Sequence, residues 1–404
     1  MTDGEAGAAQ TDGRRAAAGE VFFAFLKLGL TSFGGPIAHL GYFRAEFVAR
    51  RGWLTERAFA DLVALAQFLP GPASSQVGFT IGLTRAGWLG GLAAWTGFTL
   101  PSAALMLAFA YGAAGIADLW WGAGLLHGLK LMAVAVVAQA VLGMTKSFCA
   151  DAPRAAIAAA ALALVAFVPG SLAQLVAIVG GALAGMTTLR SAVMEAVDDF
   201  APHLSRLAAF VALALFLALL ALSFLPAGEE LAALAAAFYR SGALVFGGGH
   251  VVLPLLRDAL VAPGLLSQNA FLAGYGAAQA LPGPLFAVAA DFGALAGTAP
   301  AGPVGGVVAL AAIFLPGMLA LVAALPFWRA LRRETHAQAA MAGINAAVVG
   351  LLAAALYNPA FVSAVLGPRD FAVAAAAFAL LVAGRAPPLL VAAITAVAGV
   401  ALAT

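Results

Sequence analysis

Apolar residues run through this chain in long blocks, with polar positions confined to short gaps between them. Roughly thirteen blocks approach the length that carries a helix across a bilayer, near 20–44, 58–83, 88–115, 124–147, 153–168, 171–188, 205–225, 232–256, 269–296, 303–328, 336–357, 370–384 and 386–403. The fifth, sixth, twelfth and thirteenth are short or joined through Pro169-Gly170 and Arg385-Ala-Pro-Pro388, which leaves each pair open to another reading. The pattern predicts an all-α polytopic membrane protein of about thirteen transmembrane helices.

Inside four of the blocks the helix is interrupted, and the interruptions come in matched pairs. Residues 25–36 read Phe-Leu-Lys-Leu-Gly-Leu-Thr-Ser-Phe-Gly-Gly-Pro, and residues 238–249 read Phe-Tyr-Arg-Ser-Gly-Ala-Leu-Val-Phe-Gly-Gly-Gly. Ala66-Gln-Phe-Leu-Pro-Gly-Pro72 returns as Ala278-Gln-Ala-Leu-Pro-Gly-Pro284. Fainter echoes follow in Phe98-Thr-Leu-Pro101 with Phe314-Leu-Pro316, and in Ala135-Val-Val137 with Ala347-Val-Val349.

The chain therefore divides into a disordered cytoplasmic tail at 1–18, a first repeat at 19–190, a connector at 191–230 and a second repeat at 231–404. The connector carries a linking helix near 205–225 and a charged loop with Glu195, Asp198, Asp199, His203 and Arg206. The tail has no apolar core and does not read as a signal peptide. Seven of the expected spans separate the two repeat starts, and an odd number turns the second copy upside down. Two inverted-topology repeats with broken helices are the predicted architecture.

Lys and Arg favour an inside N-terminus and an outside C-terminus, with Arg85, Lys146, Arg154, Arg190, Arg206, Arg257, Arg329, Arg332, Arg333 and Arg385 in the inner gaps. Arg50, Arg51 and Arg57 contradict this, since a first helix that crosses would put them outside. Either that loop has a role outside or the first helix is partly re-entrant. Trp53, Trp88, Trp120, Trp121 and Tyr111 lie near predicted span ends as an aromatic belt.

Composition narrows the function. A hydrophobic share of 64%, a mean hydropathy of +1.01 and only 9% charged residues exclude an ordinary soluble domain and imply contact with membrane lipid. A net charge of +2 gives no argument for nucleic acid. The single Cys149 excludes an intrachain disulfide and a multi-cysteine metal cluster. Neither a metal site nor a cofactor is expected, and an enzyme is not. No phosphate-binding loop, dinucleotide fingerprint or nucleophile elbow is present.

The candidate chemistry sits at the breaks. A proline removes a backbone donor and glycines loosen the helix further, freeing N–H groups that need a protein-lined or wet cavity. The half-helix beyond each break aims its positive end there. Gly34, Gly35, Pro36, Pro70, Gly71, Pro72, Gly247, Gly248, Gly249, Pro282, Gly283 and Pro284 thus form a predicted anion cradle. Lys27 and Arg240 occupy equivalent positions ahead of the glycines and are its expected charge partners, unless they snorkel to the interface. Gln67 and Gln279 precede the Pro-Gly-Pro turns in register, as oxyanion donors or as caps for loosened backbone. His39 and His250 follow their breaks and could titrate or donate near neutral pH. His39, Asp61 and Asp291 are candidate proton carriers, the two aspartates reading first as structural partners of a cation because they are not equivalent by repeat. His127 and Lys130 read as interfacial.

At these segments the sequence resembles the chromate ion transporter family. The residues that carry the resemblance are Phe33-Gly-Gly-Pro36, Trp53-Leu54, Gln67 with Pro70-Gly-Pro72, Gly82 and Pro101, then Phe246-Gly-Gly-Gly249, Leu253-Pro254, Gln279 with Pro282-Gly-Pro284, and Pro316. It covers 20–403 as two fused family domains, with Gly249 standing where the first copy has Pro36. The Lys and Arg bias puts the N-terminus in the cytoplasm, and the resemblance implies a multi-pass bacterial inner-membrane protein. It also implies a secondary carrier that exports chromate, a dianion shaped like sulfate, and gives chromate resistance. A sulfate or other small-anion carrier on the same scaffold is the alternative. A homodimer is left open, although the duplication already supplies the pseudo-symmetry that a dimer of half-length chains would give.

Overall fold

The computed structural model describes residues 3–117, 119–168, 170–189, 204–297 and 301–403, and every regular element among them is helical. Glu195, Asp198, Asp199 and His203 of the expected charged loop lie outside the described residues. The first helix, α1, runs Asp3–Thr31 and so begins within the stretch read as a disordered tail. Alanines at 16–18, the best helix formers, continue the apolar helix backwards.

The first two apolar runs of each repeat fold as hairpins of two shorter helices. After α1 the chain turns at Gly34 and Gly35 (φ 100° and 78°) into α2 (Gly35–Phe43), which continues as a π-helical Arg44–Arg50. The return limb ends at Arg51, whose guanidinium reaches back to Glu20 of α1 at 2.8 Å. Next, α3 (Glu56–Phe68) and the start of α4 (Ala73–Ala117) form a second hairpin with Pro70-Gly71-Pro72 at its tip. Both hairpins open on one face, because Glu20, Arg51, Thr55 and Arg85 line a single cleft.

At Ala86 and Gly87 the backbone of α4 leaves helical angles (φ −141° and 65°) and folds back. Residues eight apart in a straight helix stand about 12 Å apart. Here a Cβ on Gly90 would lie 2.1 Å from the Gly82 carbonyl oxygen. The part of α4 after the bend is long enough to cross a bilayer, as is α5 (Gly122–Phe148). Shorter apolar helices follow: α6 (Ala152–Phe167), α7 (Ser171–Thr188) and α8 (Arg206–Leu222).

The second half repeats this order. Its first hairpin is α9 (Glu230–Ala243) and α10 (Val252–Leu260), turned at Gly247 and Gly248 (φ 73° and 137°). Its second is α11 (Gln268–Ala280) and α12 (Val288–Leu295), turned at Gly283 (φ 97°). Glu230, Leu265, Gly297 and Ala301 line one cleft, so these hairpins also open together. The bend of α4 has its counterpart between α12 and α13 (Gly302–Ala324), where Gly293 and Gly305 cross closely. The far end of α4 meets this second mouth: Tyr111 Oη lies 3.5 Å from where a Gly302 Cβ would stand. The two mouths therefore occupy opposite ends of the part of α4 that follows its bend. A short α14 (Trp328–Arg333) leads into α15 (Thr335–Ala355), α16 (Val362–Ala364), α17 (Pro368–Val382) and α18 (Pro388–Ala403).

The blocks at 20–44, 58–83, 232–256 and 269–296, each expected as one span, are thus helix pairs joined at their breaks, and thirteen single crossing helices are not what forms. Among the described residues four helices are long and apolar enough to cross: Ala73–Ala113, Gly122–Phe148, Gly302–Phe327 and Thr335–Ala364. The hairpins also move charges. Arg50, Arg51 and Arg57 fall on the Glu20 side with Arg85, which favours the re-entrant reading of the first loop. Arg257, counted with the inner charges, sits at the end of α10 on the opposite side, beside Asp258.

Packing joins the halves crosswise. α5 lies on α17 and α18 of the second half, and α15 lies on α6 and α7 of the first. Small residues permit the approach: a Cβ on Gly128 would stand 2.1 Å from the Thr395 carbonyl oxygen, and one on Gly343 2.0 Å from that of Gly181.

Candidate functional site: the central crossing of the broken helices

The four breaks meet through reciprocal backbone contacts. Gly71 N–H, in the Pro-Gly-Pro turn of the first half, donates to the Val245 carbonyl at 2.7 Å. Gly283 N–H, its equivalent in the second half, donates to the Ser32 carbonyl at 2.9 Å. Ser32 and Val245 are themselves equivalent, three residues past Gly29 and Gly242. The same exchange holds for packing: Gly71 rests on Gly317 of α13, and Gly283 rests on Ser102 of α4. Both contacts follow the intrahelical prolines Pro101 and Pro316.

Around this crossing the chain restarts helices with free N–H groups pointing inward. α2 begins at Gly35-Pro36 with no side-chain cap, and the turn Gly249–Val251 begins after Gly248, also uncapped. The two restarts face one another: Pro36 Cγ lies 3.6 Å from a Cβ built on Gly249, and His250 Nε2 lies 3.9 Å from one built on Gly35. A Cβ on Gly248 would meet nothing within 4 Å, so there is open space beside the break. Gly34 is exposed, and Gly35, Pro36, Gly247, Gly248, His250 and Gln279 are half-buried.

His250 Nδ1 is 2.9 Å from the hydroxyl of Tyr275, which also bonds Gln279 one turn on. His39 is buried, with Nδ1 3.4 Å from Ser74 Oγ and its ring edge-on to Phe98. Several buried polar atoms around the crossing lack a protein partner: Ser32 Oγ, His39 Nε2, Ser75 Oγ, Gln76 Oε1, Thr99 Oγ1, Gln279 Nε2 and Asn345 Oδ1. Buried polar groups are normally paired, so this ring is built to meet water or a polar ligand.

Not every expected residue is brought here. Lys27 is exposed on the outer surface of α1 beside exposed Leu30 and Phe23. Arg240 turns to the end of α8, donating to the Ser223 carbonyl at 2.7 Å with its guanidinium over Phe224. The expected pair of charge partners therefore does not close on the cradle. Gln67 is exposed, away from the reciprocal contacts. Asp61 is ion-paired with Arg332 of the other half, both largely buried. Asp291 is fully buried in α12 against Gly274, with neither carboxylate oxygen hydrogen-bonded. His127 pairs with Asp370 at 2.9 Å and Lys130 with Asn269 at 3.2 Å, both near helix starts. No group of three metal-ligating side chains occurs among the described residues.

Two functional candidates have no counterpart in the repeat comparison. Gln76 Nε2 donates to the carbonyls of Pro70 and Gly317, at 2.8 Å each, and ties the first Pro-Gly-Pro turn to α13. Asn345 Oδ1 lies 3.1 Å from a Cβ built on Gly247. Their repeat equivalents are Val288 and Ala133, so a search for matched polar pairs passes over both. A lone amide inside an apolar run was the available signal.

A duplicated all-helical chain with discontinuous helices meeting at one centre, sheathed in exposed Leu, Val and Phe, is a multi-pass membrane protein of the transporter class. The family profile described as Chromate transporter matches residues 19–186 and again 232–400, and the chain belongs to this family. It is 30% identical over 349 residues to a chromate transport protein of Pseudomonas aeruginosa, covering 85% of this chain and 82% of that one. A probable chromate transport protein of Synechococcus elongatus is 27% identical over 337 residues, 82% of each chain. A chromate transport protein of Cupriavidus metallidurans is 27% identical over 338 residues, 82% of this chain and 80% of its own. No solved structure matches.

Proposed function

We propose that this chain exports chromate across the bacterial inner membrane as a secondary carrier, with the central crossing as its substrate site and alternating access between two inverted repeats. The reciprocal pair of hydrogen bonds, Gly71 to Val245 and Gly283 to Ser32, carries the reading. It supports a pseudo-two-fold centre where helix restarts from both halves offer N–H groups to an oxyanion. The inversion is supported by the two hairpin mouths at opposite ends of the part of α4 beyond its bend. The cytoplasmic N-terminus is supported by Arg50, Arg51, Arg57, Arg85, Lys146, Arg154, Arg332, Arg333 and Arg385 on its side, against Lys130, Arg240, Arg257 and Arg369 on the other.

In this mechanism the dianion loses water as it takes up N–H groups at the starts of α2, α4, α10 and α12, with His250 and Gln279 as side-chain donors. Outward movement of each negative charge down an inside-negative potential is favourable by about 2.3 kcal/mol per 100 mV. Export therefore runs on the potential without an obligatory proton, and chromate resistance follows. Asp61 serves as a structural partner of Arg332, which leaves His39 and Asp291 as the proton-carrier candidates. Asp291→Asn should keep potential-driven uptake in everted vesicles within about threefold and remove any added stimulation by a proton gradient.

The deciding experiment is chromate uptake into energised everted vesicles, with and without excess sulfate. Energy-dependent accumulation that sulfate inhibits is expected. No accumulation, with the protein present in the membrane, overturns chromate as the substrate.

A further inference from the structure

The crossing supplies amides, hydroxyls and imidazoles, while Lys27 and Arg240 point elsewhere. A dianion drawn out of water toward such a site is helped by fixed positive charge on its way in. That charge is gathered at the mouth of the first-half hairpins. The cleft there holds about 920 Å³ and is lined by Glu20, Arg51, Trp53, Thr55, Thr84 and Arg85.

Its polar groups are arranged around one carboxylate. Glu20 Oε1 accepts from Arg51 Nη1 at 2.8 Å, and Glu20 Oε2 accepts from Arg85 Nη2 at 3.2 Å. Both guanidiniums lie over the indole of Trp53, their carbons 5.0 and 5.3 Å from its ring centroid, and Phe47 stacks on the same indole. Arg51 is also held by Glu46, through Nε at 2.7 Å. Stacking and the Glu46 bond orient the guanidinium forks, so their N–H groups are set before a ligand arrives. Glu20 and Arg85 are each close to half-exposed, at 41% and 46%, and ion pairs so wetted contribute little stability. A carboxylate placed between two oriented guanidiniums occupies the position that a tetrahedral oxyanion would take, and with less charge.

We infer that this cleft is an antechamber in which Arg51 and Arg85 capture a tetrahedral oxyanion dianion in exchange for Glu20, before it passes to the crossing. This rests on the proposed oxyanion transport and adds a second site on the proposed cytoplasmic side. The same chemistry could be met by a free ion or by a lipid phosphate, and the cleft's position at the mouth of the hairpins whose tips form the crossing favours the free ion.

The test uses the full-length chain and separates these sources. In everted vesicles, Arg51→Gln and Arg85→Gln should each raise the chromate KM about tenfold with the maximal rate within about twofold. Glu20→Gln should lower KM, because it removes the competing carboxylate. A purely structural salt-bridge cluster moves all three variants in the same direction, and that result overturns the antechamber. Arg51→Lys retains the charge, so its KM should fall between wild type and Arg51→Gln at equal membrane abundance. In nanodiscs of zwitterionic lipid, sulfate should change the intrinsic tryptophan emission of the purified protein, and Trp53→Phe should abolish the change. A response to added anionic lipid with none to sulfate assigns the cleft to a headgroup and overturns the proposal. Loss of chromate transport with the sulfate signal retained would remove the transport reading and leave the cleft standing. Transport with three unchanged KM values would do the reverse.

Discussion

Gln76 holds two carbonyls that no other described side chain reaches, one in its own half and one in the other. Gln76→Leu leaves the Pro70 carbonyl buried without its donor, at about 1–3 kcal/mol, while the Gly317 carbonyl keeps its place in α13. The expected outcome is a lower Tm in detergent and a loss of uptake larger than the loss of protein from the membrane. Lys27→Gln should leave uptake within about twofold, since an exposed cation on the lipid side contributes little to a site it does not face. Arg240→Ala should reduce the protein's abundance through the lost cap on α8 and leave the chromate KM unchanged; a KM raised tenfold would return Arg240 to the substrate path. At this scale the turns were readable from sequence, because only Gly tolerates φ near 100° and two copies wrote the same turn. Side-chain direction was not. Helices apolar on every face carry no periodicity from which to read which side meets lipid, so Lys27 and Gln67 were drawn into the cradle and Asn345 was passed over.

A helical hairpin half as deep as the bilayer uses about as many apolar residues as one full crossing, so hydropathy cannot separate the two. Only the glycines at the tip and the misplaced Arg50, Arg51 and Arg57 marked the difference. The hairpin makes a prediction that a crossing first helix does not. Native Cys149 in the wild type, and Arg57→Cys in a Cys149→Ser background, should each react with a membrane-impermeant maleimide from the same side, in everted vesicles and not in right-side-out ones. A crossing helix would put them on opposite sides. Burial pushes the Cys149 thiol above its ordinary range, and only the thiolate reacts. Its labelling should therefore start slower than at Arg57→Cys and keep rising with pH beyond about 8.5.

The whole molecule is held by exchanged helices, α5 with the second half and α15 with the first. α4 and α13 lie against hairpins of their own half, but α5 and α15 find their main partners in the other. Expressed separately, fragments 1–196 and 197–404 should each be degraded; expressed together, they should accumulate and restore part of the uptake. Full uptake by either alone would refute the exchange. The duplication was legible throughout, down to the paired echoes around Pro101 and Pro316. The crosswise packing was not, because a repeat in sequence does not say whether its copies lie side by side or interleaved.

The two latches between Gly71 and Val245 and between Gly283 and Ser32 have a further consequence. Each half grips the other by the same handle, so the molecule resembles a balance whose two pans were cast from one mould. If its inward- and outward-open forms are related by exchanging the roles of the halves, their difference in free energy arises only where the castings differ. Pro36 against Gly249, Gln76 against Val288 and Ala133 against Asn345 are such places. Substitutions that make these pairs alike should bring the two forms toward equal weight, and the resting preference of the carrier is then written in its departures from symmetry.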